Sequence, residues 1–196
     1  MLFKDGLIFT AYPPRIWSWR NPLSPEILLP ALLVAQGMVG GIDTLVNHEI
    51  IERLPHRVEA RDEIGLHWVR EFIYACLFGG LAWFEFHGAT AILIAALLIG
   101  EIIVTSCDEY IENKIRVLPQ NERVLHVFLT LNLGLLIAVL VPTLIGWGGL
   151  PSGLAPVEHG LLSWMLSMFA LLGVGWAVRD FIAWRKLRRL SSAAMA

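Results

Sequence analysis

The chain has 196 residues, 56% of them apolar and 16% charged, with a formal net charge of −2 and a mean hydropathy of +0.63. A water-soluble domain carries about 25% charged and about 45–50% apolar residues, so the bilayer is the solvent that fits this composition. Near-neutral charge argues against a nucleic-acid partner, the apolar content excludes disorder, and Cys76 and Cys107 lack the spacing of a disulfide framework or a thiolate metal site.

Residues 1–25 hold Lys4, Asp5, Arg15, Arg20 and Pro13-Pro14 without a uniform apolar run or a cleavage site. With Trp17 and Trp19 they read as an interfacial segment rather than a secretory signal. Five apolar runs follow, at 27–47, 64–87, 89–108, 124–147 and 160–184. Each approaches the ~20 helical residues that cross a hydrocarbon core. The expected fold is therefore all-α, a polytopic membrane bundle of about five transmembrane helices. Residues 26–147 form a four-helix metal-binding unit, and residues 148–196 form a loop, a fifth helix and a basic tail.

The loops orient the bundle. Arg53, Arg57 and Arg61, then Lys114, Arg116 and Arg123, then Arg185, Lys186, Arg188 and Arg189 all fall at one end, ten of the fifteen Lys and Arg. The positive-inside rule makes that end cytoplasmic, in the inner membrane of a bacterium. At the opposite end, His87-Gly88 reads as a tight turn, and Gly148, Gly149, Pro151, Gly153 and Pro156 as a longer loop.

Polar residues gather where the first four runs meet the basic loops. The first hairpin reads Glu49, Glu52, Glu63, His67 and the second Glu109, Glu112, Glu122, His126, with Leu54-Pro55 and Leu118-Pro119 in the respective loops. The pattern E-x-x-E followed by E-x-x-x-H occurs twice, as a pseudo-twofold pair of helical hairpins. Glu and His at i and i+4 share one helical face, so both reach a common point inside a bundle. Four carboxylates and two imidazoles suit two ions of the Fe or Mn type, with Zn also compatible. Deeper lie Asp43, Arg70, Glu71, Glu101 and Asn132, each roughly 9–12 Å along its helix from the nearest of these ligands at 1.5 Å per residue. Ionisable groups at that depth cost about 2.5–3.5 kcal/mol each, so they must face one another rather than lipid.

The motif resembles the ferritin-like di-iron carboxylate proteins, which place a Glu on each of two helices and a Glu-His motif on each of the other two. Here two residues between Glu and His become three. The resemblance implies Glu49, Glu63, His67, Glu109, Glu122 and His126 as ligands, with Glu52, Glu112, His48 and Asp108 as alternates. Asp43, Arg70, Glu71 and Glu101 would be the candidate catalytic groups, acting as a supporting layer or a proton route, with Arg70 opposite Glu101 or Glu71. The implied activity is O₂-dependent oxidation of a membrane lipid or other lipophilic substrate by a di-iron centre near the cytoplasmic face, with electrons from a separate donor or a quinol. A metal-dependent lipid hydrolase or transferase and a metal-ion transporter are the alternatives. The bland reading makes Glu63 and Glu122 first-turn acids paired with Arg61 and Arg123. Substrate identity and oligomeric state leave no mark in the sequence.

Overall fold

The computed structural model describes residues 24–194. The expected interfacial segment thus lies almost wholly outside the described residues. The described residues are 86% helical, most of them in five long helices.

Helix α1 (Pro25–Asp43) starts with Ser24 extended and Pro25 in the first turn, where a missing N–H costs nothing. It runs on without a break into a π-helical segment, Thr44–Ile51. Two 3-10 turns, Leu54–His56 and Val58–Ala60, lead to α2 (Arg61–Trp83). Then come α3 (Ala91–Ile115), α4 (Gln120–Gly148) and α5 (Leu161–Ala194). Helix α3 outruns its expected end at 108, because Asp108 and Glu112 are buried inside the bundle rather than released into a wet loop.

Two short strands were not expected. Strand β1 (Phe84–His87) pairs antiparallel with β2 (Gly153–Pro156), Phe84 opposite Pro156 and His87 opposite Gly153. The residues read as the end of the second apolar run therefore leave the helix and tie both loops of that end together. Gly88, at φ +57°, makes the reversal; a Cβ there would stand 2.7 Å from the Ser152 backbone. The Ser152 hydroxyl accepts the Ala89 N–H at 2.9 Å, and Thr90 donates to the Gly153 carbonyl at 3.0 Å.

The basic loops meet at the other end. Leu54, Ala60 and Ile64 pack with Leu187 of α5, and Arg61 donates to Ser191 at 3.0 Å. Between the ends, α2 lies along α5 and against α3, and α1 lies along α4. Small residues permit the approach: Gly173 faces Ala75, and Gly37 faces the Phe169 ring. Leu33, Ile94, Leu140 and Leu166 are the best buried members of the apolar core.

Four of the five helical segments, Pro25–Ile51, Gly88–Ile115, Gln120–Gly148 and Leu161–Ala193, are long and apolar enough to cross a membrane. The 23-residue α2 is long enough, but His67, Arg70 and Glu71 make it too polar to join them. It is the helix whose charges turn inward.

Candidate metal centre

Each helix brings its polar residues to the centre by a local rule. In α2 and α4 the four-residue spacing stacks Glu63 on His67 and Glu122 on His126. In α3 it stacks Asp108 on Glu112. The first helix does something else. Asp43 and His48 are five apart, which in an α-helix would set them on different faces. The π-helical turn, with its five-residue hydrogen bond (Glu52 N–H to the Asn47 carbonyl, 2.8 Å), returns His48 to the face of Asp43, so that Nε2 lies 3.6 Å from Oδ2. Asn47 holds Asp43 from the same turn at 2.6 Å and accepts from Asn121 of α4 at 2.5 Å.

These side chains converge. His126 Nε2 lies 3.3 Å from Asp43, and its Nδ1 lies 3.0 Å from Glu109 and 3.6 Å from Glu112. His48 Nε2 is 3.3 Å from Glu122, His67 Nε2 is 3.5 Å from Asp108, and the His48 and His67 rings stack at 4.5 Å. Two groups have ligand atoms all within 4.8 Å of one another and can hold a metal ion: Asp43, His48, Glu122 and His126, and Glu109, Glu112 and His126.

Arg116 closes the site from the loop between α3 and α4. Its Nη2 reaches Glu63 at 2.8 Å and Glu112 and Glu122 at 2.6 Å each, and Nη1 holds Glu122 at 2.8 Å. All three acids are fully buried. Burial works against the guanidinium charge, but hydrogen bonds to Glu122 and Glu63 more than offset it and raise its pKa. The first-turn acids thus answer to Arg116. Arg61 instead bonds its neighbour Asp62 at 2.8 Å.

One cation does not satisfy the cluster. His48 Nε2, His67 Nε2, Glu63 Oε2, Asp108 Oδ1 and Glu112 Oε2 are buried and make no hydrogen bond. Nearly all buried polar atoms in folded proteins are paired, and each orphan costs about 1–3 kcal/mol. Five such atoms of metal-ligating type, one on His48 and one on Glu112 of the two groups above, fit a metal site.

The supporting layer departs from expectation in its pairing. Arg70 bonds Asp108 directly, not Glu101 or Glu71, and so links α2 to α3 beside His67. Glu101 accepts from Thr105 at 2.8 Å. Asn132 donates to Gln36 at 2.6 Å and to the Leu32 carbonyl at 3.0 Å, and Gln36 donates to the Tyr74 hydroxyl at 2.9 Å.

Two expected ligands lie elsewhere. Glu49 turns outward to pair with Arg179 of α5, and Glu52 pairs with Arg57 in the loop. The π-helical turn is the reason, since it carries His48 to the interior and swings Glu49 away. Glu109 stays at the rim, 45% exposed, touching His126. The alternates His48, Asp108 and Glu112 occupy the interior. Sequence reasoning missed Asp180, which is buried, holds Arg179 at 2.9 Å, and lies within electrostatic reach of Glu71 and His67. It also missed Gln36, Tyr74 and Trp176. Phe169, Gly173, Trp176 and Asp180 recur every three or four residues along one face of α5, a periodic signal that could have marked this face.

The centre lies at one end of a cavity of about 430 Å³ walled by all five helices. His48, His67, His126, Asp43 and Asp108 form its polar end, and Phe78, Leu129, Leu133 and Phe169 its apolar body. No family model, curated protein or solved structure matches the chain.

Proposed function

We propose that the chain is an integral-membrane metalloprotein whose centre lies near the cytoplasmic face, and that it oxidises a lipophilic substrate with O₂. The observation that carries this reading is the cluster of buried histidine and carboxylate side chains, several of whose atoms make no hydrogen bond, at the polar end of an apolar cavity. The basic loops at the same end set the orientation by the positive-inside rule.

Asp43, His48, Glu122 and His126 are the ligands for one ion. Glu63, His67, Asp108 and Glu112 would be the ligands of a second, a reading supported by their buried atoms that make no hydrogen bond. The mixed oxygen and nitrogen donors suit iron first, with manganese or zinc as competitors. Bound iron would supply the redox chemistry. Around it, Arg116 holds three carboxylates in place, and Arg70 fixes Asp108 and through it the His67 ring. Glu71 and Asp180 offer carboxyl groups for proton delivery between the cavity and the α5 surface. The electrons come from a separate donor or from a quinol.

Elemental analysis of the detergent-purified protein tests this, with optical spectra before and after reduction and re-exposure to air. The expected result is about two iron per chain, as in other paired-carboxylate bundles, with absorbance that bleaches on reduction and returns with O₂. Zinc without a redox response, or no metal, overturns the oxidase reading.

A further inference from the structure

The wall of the cavity says more about its occupant than that it is greasy. Helices α1 and α5 touch where Gly37 lets the Phe169 ring in; a Cβ at that position would stand 2.7 Å from the ring. Between that contact and the Glu49–Arg179 ion pair nearer the metal-ligating end the two helices leave a gap. Gly40 has only a Leu129 methyl within 4 Å, at 3.8 Å, and Gly41 has nothing. Met38, Ile42 and Leu45 on α1 and Leu172 on α5 all line the cavity, yet each is about half exposed. Residues that belong at once to the cavity wall and to the outer surface mark a side opening. It lies on helices apolar enough to be within a bilayer.

Charge narrows the ligand further. The wall carries the carboxyl groups of Asp43, Glu71, Glu101, Asp108 and Glu109 against one guanidinium, Arg70, and that guanidinium is already bonded to Asp108. Among the described residues of the wall the other groups able to carry positive charge are His48, His67 and His126, and each already lies within 3.6 Å of a carboxylate, so that an anionic head group would have to displace an acid to reach one. Neutral hydrogen-bonding groups are present instead, at Thr105, Thr130 and Tyr74.

We infer that the cavity binds a single-chain lipid with an uncharged polar head, a long-chain alcohol or prenyl quinol in chemical class, entering from the bilayer through the cleft between α1 and α5. The chain lies along Phe78, Leu133 and Phe169, and the head comes to rest beside the histidines. The inference rests on the membrane placement proposed above but not on any metal, so the two can fail separately.

Diazirine-bearing 1-dodecanol and dodecanoate, photolysed with the full-length protein in phosphatidylcholine nanodiscs, test it directly, with labelled residues located by peptide mass spectrometry and metal content measured in parallel. The alcohol should label Leu133 and Phe78 inside the cavity, and the carboxylate only outward residues such as Ile145. Gly41→Phe fills the cleft where no atom stands nearby. It should abolish interior labelling by the alcohol while metal content and labelling of Ile145 stay unchanged. Gly40→Leu should do the same, and Gly146→Leu, at an equally open helical position away from the cavity, should change nothing. Interior labelling by both probes alike would overturn the uncharged head. Labelling that survives both glycine variants would overturn the α1/α5 entrance, and an unlabelled interior would overturn the site.

Discussion

The two halves of the centre repeat one idea on different frames. On the α3/α4 side a straight α-helix presents Asp108 and Glu112 four residues apart, and a short loop returns through Arg116 to Glu122 and His126. On the α1/α2 side, Asp43 has Asn47 in the place of Glu112, a π-helical turn adds His48, and the return loop is longer and coiled. The ring contacts still match: His126 meets Asp43 across α4/α1, and His67 meets Asp108 across α2/α3. The halves differ in how each places its carboxylates. The second half supplies the buried acids Asp108, Glu112 and Glu122 and the cation Arg116, while the first supplies Asp43, Glu63 and an extra imidazole.

That asymmetry predicts the largest effect at Arg116. Its guanidinium is the described partner of three fully buried carboxylates from three helices. Arg116→Ala leaves them facing one another, and removing one member of a buried ion cluster costs about 3–5 kcal/mol. Thermal unfolding in detergent should show a large drop in midpoint, partly restored by added Mn(II). An unchanged midpoint would mean that the acids are held by something other than this side chain.

Next come the histidines. His126 touches Asp43, Glu109 and Glu112, whereas His67 touches Asp108 and stacks on His48. His126→Ala should remove most bound metal, and His67→Ala a smaller share, with helical circular dichroism retained in both. Equal and complete loss in the two would mean that the halves hold one inseparable site. Full retention in both would refute the centre.

The π-helical turn can be tested by removing its extra residue. Deleting Val46 leaves His48 four residues after Asp43, so that an α-helix over this stretch keeps the two on one face. Metal binding should survive the deletion and fall with His48→Ala. Loss of metal in the deletion equal to that in His48→Ala would mean that the π turn does more than return His48 to the face of Asp43.

This turn also explains what was legible in the sequence. Glu63, His67, Glu122 and His126 were readable because i,i+4 geometry is local and all four sit in regular α-helix. The all-helical architecture followed from the long apolar runs. The E-x-x-E pairs misled because Glu49 and Glu109 occupy matching places in the sequence but not in space. A change of helical pitch at Thr44 has no strong residue signature, since Thr44–Ile51 contains neither Gly nor Pro. Strands β1 and β2 were hidden for another reason: each is four residues long and forms only because the other is at the same end of the bundle.

The smallest effect should come from Glu49, and it decides which frame is correct. Its carboxylate pairs with Arg179, and both side chains are about a third exposed. Half-exposed pairs of this kind are worth about 0–1 kcal/mol. Glu49→Gln should therefore shift the unfolding midpoint slightly and leave metal content and the optical spectrum as they were. Glu112→Gln, at a fully buried position that touches His126 directly and Glu63 through Arg116, should lower metal content clearly. If Glu49→Gln proved the more damaging of the two, Glu49 would be a ligand after all, and the first hairpin would use the same acid position as Glu109. The regular repeat of the sequence would then outrank the pitch change that separates the two halves.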